Sequence, residues 1–194
     1  ISGILIQGGF GKRGTDGKIE AIKSARNNKI PFLGICYGMQ MAIIEFARNK
    51  LKLKKATSSE FDKKGLHIIG LINEWTKDGK KIKGTDKDLG GTMRLGSYDA
   101  KLKESSMIKK IYKKNLIKER HRHRYEVNIA FKEKFEKNGM IFSGLSPDGQ
   151  LPEIIELRNH PWFIGVQFHP EFKSRPLAPH PLFSSFIKAS KNHK

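Results

Sequence analysis

The only cysteine of the chain, Cys36, lies between two glycines in the segment Gly34-Ile-Cys-Tyr-Gly38. Ile30 to Ile35 is a short apolar run of strand length, whereas the apolar residues from Met39 to Arg48 recur at helical spacing. The glycines therefore predict a sharp strand-to-helix turn that presents the thiol above a sheet, as in a nucleophile elbow. The positive end of the helix dipole would favour the reactive thiolate. A buried structural cysteine is the alternative interpretation.

A histidine and a carboxylate follow a second apolar segment near the end of the chain. Trp162 to Phe168 is predicted to be a strand, and His169-Pro-Glu171 comes directly after it. Histidine is the side chain best suited to accept a thiol proton near neutral pH, and a carboxylate can hold its tautomer. Alone, His169 is typical of a surface residue at a strand end. Together with the elbow, these residues predict a triad of Cys36, His169 and Glu171.

Further motifs extend along nearly the whole chain and support a resemblance to a known family. They are Gly8-Gly-Phe-Gly-Lys-Arg-Gly14, Leu89-Gly-Gly-Thr-Met-Arg-Leu-Gly96, Glu119-Arg-His-Arg-His-Arg-Tyr-Glu-Val-Asn128, Asn159-His-Pro-Trp-Phe163, Phe168-His-Pro-Glu-Phe-Lys-Ser-Arg-Pro176 and His180-Pro-Leu-Phe183. With Gly34-Ile-Cys-Tyr-Gly-Met-Gln40, they resemble the class I (triad) glutamine amidotransferases, and more narrowly the glutaminase domains of the CTP synthase family. The resemblance implies hydrolysis of L-glutamine through a cysteine thioester.

The resemblance also assigns roles to residues around the triad. It implies an oxyanion hole made by the backbone N–H groups of Gly9 and Tyr37. A carboxylate at Glu60 suits the ammonium group of glutamine, and the Arg124 guanidinium suits its carboxylate. The full set implied to bind glutamine is Gly9, Tyr37, Gly38, Met39, Gln40, Glu60 and Arg124. Phe10 and Arg13 are placed near the activating nucleotide GTP.

The resemblance also implies partners and ligands that this chain does not itself bind. In the family, ammonia passes to a synthase (amidoligase) domain that uses ATP, UTP and Mg²⁺ to make CTP, and the complete enzyme is a homo-oligomer. The sequence contains no P-loop, so we expect glutamine hydrolysis alone here, with neither a resident cofactor nor a metal. Such domains usually begin with strand–helix units ahead of the glycine-rich loop. Residues 1–194 are therefore expected to be one N-terminally incomplete glutaminase domain with a bare sheet edge.

The alternation of apolar strands with helical segments predicts an α/β fold. We expect a mostly parallel open sheet flanked by helices, and the resemblance to the class I glutamine amidotransferases implies a flavodoxin-like arrangement. Residues 153–157 and 162–168 are predicted to form a hairpin. Further helices are predicted over residues 18–28, 105–114, 131–138 and 182–190, the first of them after a glycine-rich loop over residues 8–17. Residues 51–96 are predicted to be irregular or a small antiparallel structure, with turns at Asp78-Gly79 and Gly90-Gly91.

The net charge of +19 raises the question of a phosphate-backbone partner. Most of the 38 basic residues are lysines scattered along the chain, which is typical of a solvated surface. If residues 120–124 are a strand, Arg120, Arg122 and Arg124 share one side, with His121 and His123 on the other. An exposed charge run is the alternative interpretation for Arg120 and Arg122. With no zinc-finger spacing and no RNA-recognition motif, a nucleic-acid partner is not expected.

Length and cysteine usage limit the remaining function classes. A chain of 194 residues fits one domain with a proper core. We expect no membrane partner and a cytoplasmic location, because no long apolar segment or secretory signal appears and a single cysteine excludes an internal disulfide. Three alternatives stay open: a glutaminase subunit of another triad enzyme such as GMP or anthranilate synthase, a basic nucleic-acid-binding module, and a folded fragment with poor turnover.

Overall fold

The strands and helices alternate along the computed structural model, which describes residues 1–71, 76–77, 80–81 and 93–193. Within these residues, two short 3-10 helices, Ile129–Phe131 and Pro170–Phe172, accompany the longer elements. The α-helices in these residues are α1 (Thr15–Asn28), α2 (Tyr37–Asn49), α3 (Met107–Tyr112), α4 (Lys132–Lys137) and α5 (Pro181–Asn192). The strands are β1 (Ile4–Ile6), β2 (Phe32–Ile35), β3 (Ala56–Ser58), β4 (Leu66–Leu71), β5 (Thr76–Lys77), β6 (Lys80–Lys81), β7 (Arg94–Leu102), β8 (Leu116–His123), β9 (Tyr125–Val127), β10 (Met140–Leu145), β11 (Pro152–Leu157) and β12 (Phe163–Val166).

The main sheet has seven strands in the order β1-β2-β12-β11-β10-β7-β8. The pairs β1–β2 and β2–β12 are parallel, and the other pairs are antiparallel. The α/β class is confirmed, but the sheet is mixed rather than mostly parallel. Short connections join β10 to β11 and β11 to β12, and strands joined in this way can only pair antiparallel. The predicted hairpin before the histidine is confirmed as β11 and β12.

Side chains of the central strands alternate between two apolar layers. Phe32 packs in a cluster with α1 and α2, whereas Leu33 and Ile35 pack in a second cluster that includes Ile108 of α3 and Leu182 of α5. Because both faces of the parallel part of the sheet are covered by helices, β2 is apolar throughout its length. The loops at the carboxyl ends of these strands are thus held by a rigid core.

A second, three-stranded sheet contains β3, β4 and β9. Here β3 pairs parallel with β4, and β4 pairs antiparallel with β9, so the predicted small antiparallel structure is only partly correct. β5 and β6 form a separate antiparallel pair. The predicted turns at Asp78-Gly79 and Gly90-Gly91, and residues 89–92 of the Leu89–Gly96 motif, lie outside the described residues.

The helix after the glycine-rich loop begins earlier than its apolar pattern indicated. α1 begins at Thr15, whose hydroxyl donates to the Lys12 carbonyl at 2.9 Å, and Gly14 precedes it with a φ of 73°. The loop therefore ends at Gly14 rather than Gly17. The other four predicted helices are confirmed to within a few residues as α2 to α5, apart from the 3-10 turn that opens the segment before α4. Within the described ranges, no helix combines the length and apolarity needed to cross a membrane.

Candidate active site

Cys36 occupies the turn between β2 and α2 with φ 50° and ψ −100°. A non-glycine residue at positive φ costs about 1–3 kcal/mol, and such strain is found where a nucleophile is presented above a sheet. Backbone bonds hold the turn: the Cys36 N–H donates to the Val166 carbonyl at 2.7 Å, and the Gln40 N–H donates to the Cys36 carbonyl at 3.1 Å. The predicted strand-to-helix elbow is confirmed.

The two glycines of the elbow are required by close backbone contacts. A Cβ on Gly34 would lie 2.8 Å from the carbonyl carbon of Gly38. A Cβ on Gly38 would lie 2.1 Å from the Ile6 carbonyl oxygen of β1. Real Cβ atoms do not approach backbone this closely, so any side chain here would displace the elbow or β1.

His169 follows β12, the parallel neighbour of β2, so it leaves the sheet at the same edge as Cys36. Its Nδ1 lies 2.6 Å from Glu171 Oε1, an arrangement that assigns the ring proton to Nδ1. Its Nε2 is buried and has no hydrogen-bond partner among the described residues. Phe172 stacks on the ring at 4.8 Å, and a Cβ on Gly8 would lie 2.8 Å from its Cε1. The imidazole is thus fixed, with one nitrogen free to accept a proton.

Burial dominates the electrostatics of the thiol. Cys36 is only 4% exposed, and burial raises the pKa of its thiol to about 12, with smaller contributions from the charges of Glu126, Glu171 and Glu60. The Tyr37 backbone N–H lowers this pKa, but by less than burial raises it. The start of the helix therefore favours the thiolate as expected, but desolvation outweighs it, and the net pKa of the thiol is raised. The thiol requires a base during the reaction.

A cavity of about 260 Å³ opens beside the thiol. Of the residues that the sequence singled out for glutamine, Gly9, Gln40, Glu60 and Arg124 line it. Tyr37, Gly38 and Met39 do not, and neither do Arg13 and His169; the Met39 side chain is fully buried in the core, which leaves only its backbone for a ligand. The lining residues are Gly9, Phe10, Cys36, Gln40, Glu60, Met93, Arg122, His123, Arg124 and Tyr125.

Three side chains of the cavity differ in the hydrogen bonds that they already make. Arg124 Nη1 is buried with no hydrogen-bond partner in the described part of the chain, so it is available to an anionic group. Glu60 Oε1 accepts the Gly11 N–H at 2.6 Å, and burial raises the pKa of its carboxyl despite this bond. The Gln40 amide donates to the Tyr125 carbonyl at 2.9 Å, so protein groups already hold it.

Sequence reasoning missed several groups at this site. Gln167 donates from Nε2 to the Cys36 sulfur at 3.6 Å, and Met93, His123 and Tyr125 line the cavity. The position of Gln167, two residues before His169, places both on one side of an extended segment, a signal that could have found it. Met93 lies within the Leu89–Gly96 motif, but the motif assigned it no role, and only the fold brings it to the cavity.

The predicted alternation along residues 120–124 is confirmed within β8. Arg120 and Arg122 are exposed, whereas His121 and His123 are buried. Arg124 comes one residue after the strand and is half-buried at the cavity. In the residues that the structure describes, no group of three or more His, Cys, Asp or Glu side chains is placed to hold a metal ion.

The fold and this arrangement are those of a family that a sequence model also detects. The model of glutamine amidotransferase class-I matches residues 1–189. The chain therefore belongs to the class-I glutamine amidotransferases.

Within that family, the chain is similar to several CTP synthases. It is 90% identical over 194 residues to a CTP synthase of Pelagibacter ubique, of which it spans 36% of the length. A CTP synthase of Zymomonas mobilis is 61% identical over 191 residues and is spanned to 35%. Among solved structures, the glutaminase domain of Trypanosoma brucei CTPS with bound acivicin aligns with a TM-score of 0.87 and 39% identity, covering 100% of this chain and 72% of that one.

Proposed function

We propose that the chain hydrolyses L-glutamine at Cys36 and supplies the ammonia for ATP-dependent amination of UTP to CTP. The observation that carries the hydrolytic part is the fixed imidazole: His169 is bonded to Glu171 through Nδ1, while its buried Nε2 has no partner among the described residues. It lies at the end of the strand beside the elbow. A thiol with a raised pKa needs such a base in order to react.

The proposed reaction follows from these positions. Cys36 Sγ attacks the carboxamide carbon of glutamine while its proton passes to His169 Nε2. The developing oxyanion is stabilised by the backbone N–H groups of Gly9 and Tyr37. The C–N bond then breaks as the imidazolium returns the proton to the leaving amine, which departs as ammonia. Water activated by His169 hydrolyses the thioester to glutamate.

Substrate binding is proposed to use the charged groups of the cavity. Arg124 Nη1, which has no hydrogen-bond partner in the described part of the chain, suits the α-carboxylate. Glu60, with one oxygen bonded to Gly11, has the other for the α-ammonium group. Gln40, together with the backbone of Gly38 and Met39, is proposed to complete the contacts. A cavity of about 260 Å³ suits a ligand below drug size.

The wider proposal rests on relatives that are longer than this chain. Because it spans 36% of the Pelagibacter ubique CTP synthase, we place ATP, UTP and Mg²⁺ on a separate amidoligase domain. From the resemblance to that family, we also expect a cytoplasmic homo-oligomer. GTP is proposed to act at the glycine-rich loop, where the Phe10 ring is 88% exposed and Arg13 is nearby.

Covalent labelling by 6-diazo-5-oxo-L-norleucine, read by intact mass, tests the glutaminase proposal. We expect one adduct on the wild type that glutamine blocks. The adduct should be lost in Cys36→Ala and formed at least tenfold more slowly in His169→Ala. Labelling should also persist as salt rises, unlike binding to a phosphate backbone. A folded wild-type chain that forms no glutamine-protectable adduct would overturn the assignment.

A further inference from the structure

Gly11, in the glycine-rich loop, is held by side chains at both of its backbone groups. Its N–H donates to Glu60 Oε1 at 2.6 Å, and its carbonyl accepts from the Tyr37 hydroxyl at 2.5 Å. Gly11 also has a φ of 74°, a conformation that glycine adopts freely. Two side chains that start on different elements, α2 and the β3–β4 connection, therefore determine where this loop lies.

The Tyr37 ring is the surface against which the loop packs. Tyr37 is 2% exposed, and a Cβ built on Gly9 would lie 3.7 Å from Tyr37 Cδ1, an ordinary packing distance. Burial raises the pKa of the Tyr37 phenol to about 12, with Glu60 adding to the shift. The hydroxyl therefore stays protonated at neutral pH and remains a donor to the Gly11 carbonyl.

We infer that the Tyr37 side chain is a positioning residue that sets the backbone N–H of Gly9 for the oxyanion. The inference rests on the proposed function. Tyr37 contributes its own N–H to the oxyanion hole, and its hydroxyl fixes the loop that carries the second donor two residues before Gly11. Tyr37, the residue after the nucleophile, therefore provides one donor and positions the other. Oxyanion donors act only if preplaced to within a few tenths of an ångström, so a loosened loop lowers transition-state stabilisation more than substrate binding.

Glu60 links the same loop to the substrate. One of its oxygens holds the Gly11 N–H, and the proposed function assigns the carboxylate to the ammonium group of glutamine. Binding of an ammonium at Glu60 therefore acts on the anchor of the loop itself. The Tyr37 hydroxyl is the anchor that does not depend on the substrate, which makes it the group to test.

The test separates stabilisation of the tetrahedral adduct from ground-state binding. Glutamate γ-semialdehyde, an aldehyde analogue of glutamine, forms a thiohemiacetal with Cys36 whose oxygen occupies the oxyanion position; glutamate forms none. Dissociation constants for both are measured by calorimetry on the wild type and Tyr37→Phe. We expect Tyr37→Phe to weaken the aldehyde about tenfold and to change glutamate binding less than twofold.

A matched control removes another tyrosine hydroxyl bond, which is part-buried and away from the site. Tyr112 donates to Glu119 Oε1 at 3.1 Å, so Tyr112→Phe should leave both constants at the wild-type values. Unchanged aldehyde affinity in Tyr37→Phe would overturn the inference, and so would equal weakening of aldehyde and glutamate, which indicates a purely structural role. Failure of the proposed function would show separately, as an unlabelled Cys36 in the wild type.

Discussion

At the scale of single residues, the thiol shows how burial competes with a helix terminus. The Tyr37 N–H lowers the pKa of Cys36, yet burial raises it to about 12. A helix terminus stabilises an adjacent charge by about 0.3–1 kcal/mol at exposed sites, whereas removing a charge from water costs several kcal/mol. Cys36 is therefore a neutral thiol, rather than a preformed thiolate, before it reacts, and the fixed imidazole of His169 is its proposed base.

The raised pKa of the Cys36 thiol predicts how its alkylation depends on pH in the absence of glutamine. Only the thiolate reacts with iodoacetamide, and its fraction rises tenfold per pH unit below the pKa. We expect the rate at Cys36 to rise log-linearly from pH 7 to about pH 9.5, with no plateau, when followed by intact mass. Because the chain contains one cysteine, Cys36→Ala is a complete control. A plateau below pH 8 would show that the thiolate is already formed.

At the scale of elements, the elbow works because α2 approaches β1 at contact distance. Gly38, in the first turn of α2, faces the Ile6 carbonyl at the end of β1, and the glycine-rich loop begins directly after that strand. The same contact therefore places the nucleophile relative to the loop that is proposed to form the oxyanion hole.

Gly38→Ala tests this contact. Its Cβ would lie 2.1 Å from the Ile6 oxygen, and backbone relaxes less easily than a side-chain end. We expect a loss of about 1–3 kcal/mol in the free energy of unfolding, from urea denaturation, because overpacking strains the core. Labelling of Cys36 by the glutamine analogue should fall at least tenfold.

Gly17→Ala is the matched helical control. Gly17 is exposed in α1, and its Cβ would meet no atom of the described residues within 4 Å. We expect it to stabilise the chain by about 0.5–1 kcal/mol, since alanine has the higher helix propensity. A Gly38→Ala variant as stable as the wild type would contradict the packing argument.

At the scale of the whole molecule, a buried ion network joins the seven-stranded sheet to the three-stranded sheet. Arg94 of β7 contacts Glu126 of β9 at 3.1 Å and Glu153 of β11 at 2.7 Å. One cation faces two carboxylates, and burial raises the pKa of Glu126 to about 8 although Arg94 opposes the shift. Burial and Arg94 also lower the pKa of His121 to about 2 and of His123 to about 3. The two histidines of this network are therefore neutral, and its carboxylates hold a proton.

The raised pKa of Glu126 predicts how stability changes with pH. Between its ordinary pKa of 4.5 and about 8, the folded state binds a proton that the unfolded state does not. Stability from this group is therefore fully present below pH 4.5 and is lost as pH rises towards 8. Relative to Glu126→Gln, the free energy of unfolding of the wild type should fall by about 1.4 kcal/mol per pH unit between pH 5 and 8.

The measurement is urea denaturation of both proteins across that range. Glu133→Gln, whose side chain is 88% exposed on α4, is the control for replacing a glutamate outside the network. A flat or rising difference for Glu126→Gln would show that Glu126 is ionised in the folded state at pH 5.

The sequence by itself determined the local features: the elbow at Cys36, the apolar strands, the hairpin before His169 and the alternation of arginines and histidines in β8. Each depends on neighbours in the chain, through glycine conformations or side-chain periodicity. Only the tertiary structure decided the rest. The antiparallel half of the sheet, the high pKa of Cys36, the double hold on Gly11 and the Arg94 network all depend on residues far apart in sequence. Burial and hydrogen-bond geometry between such residues are set by packing, which a linear pattern does not contain.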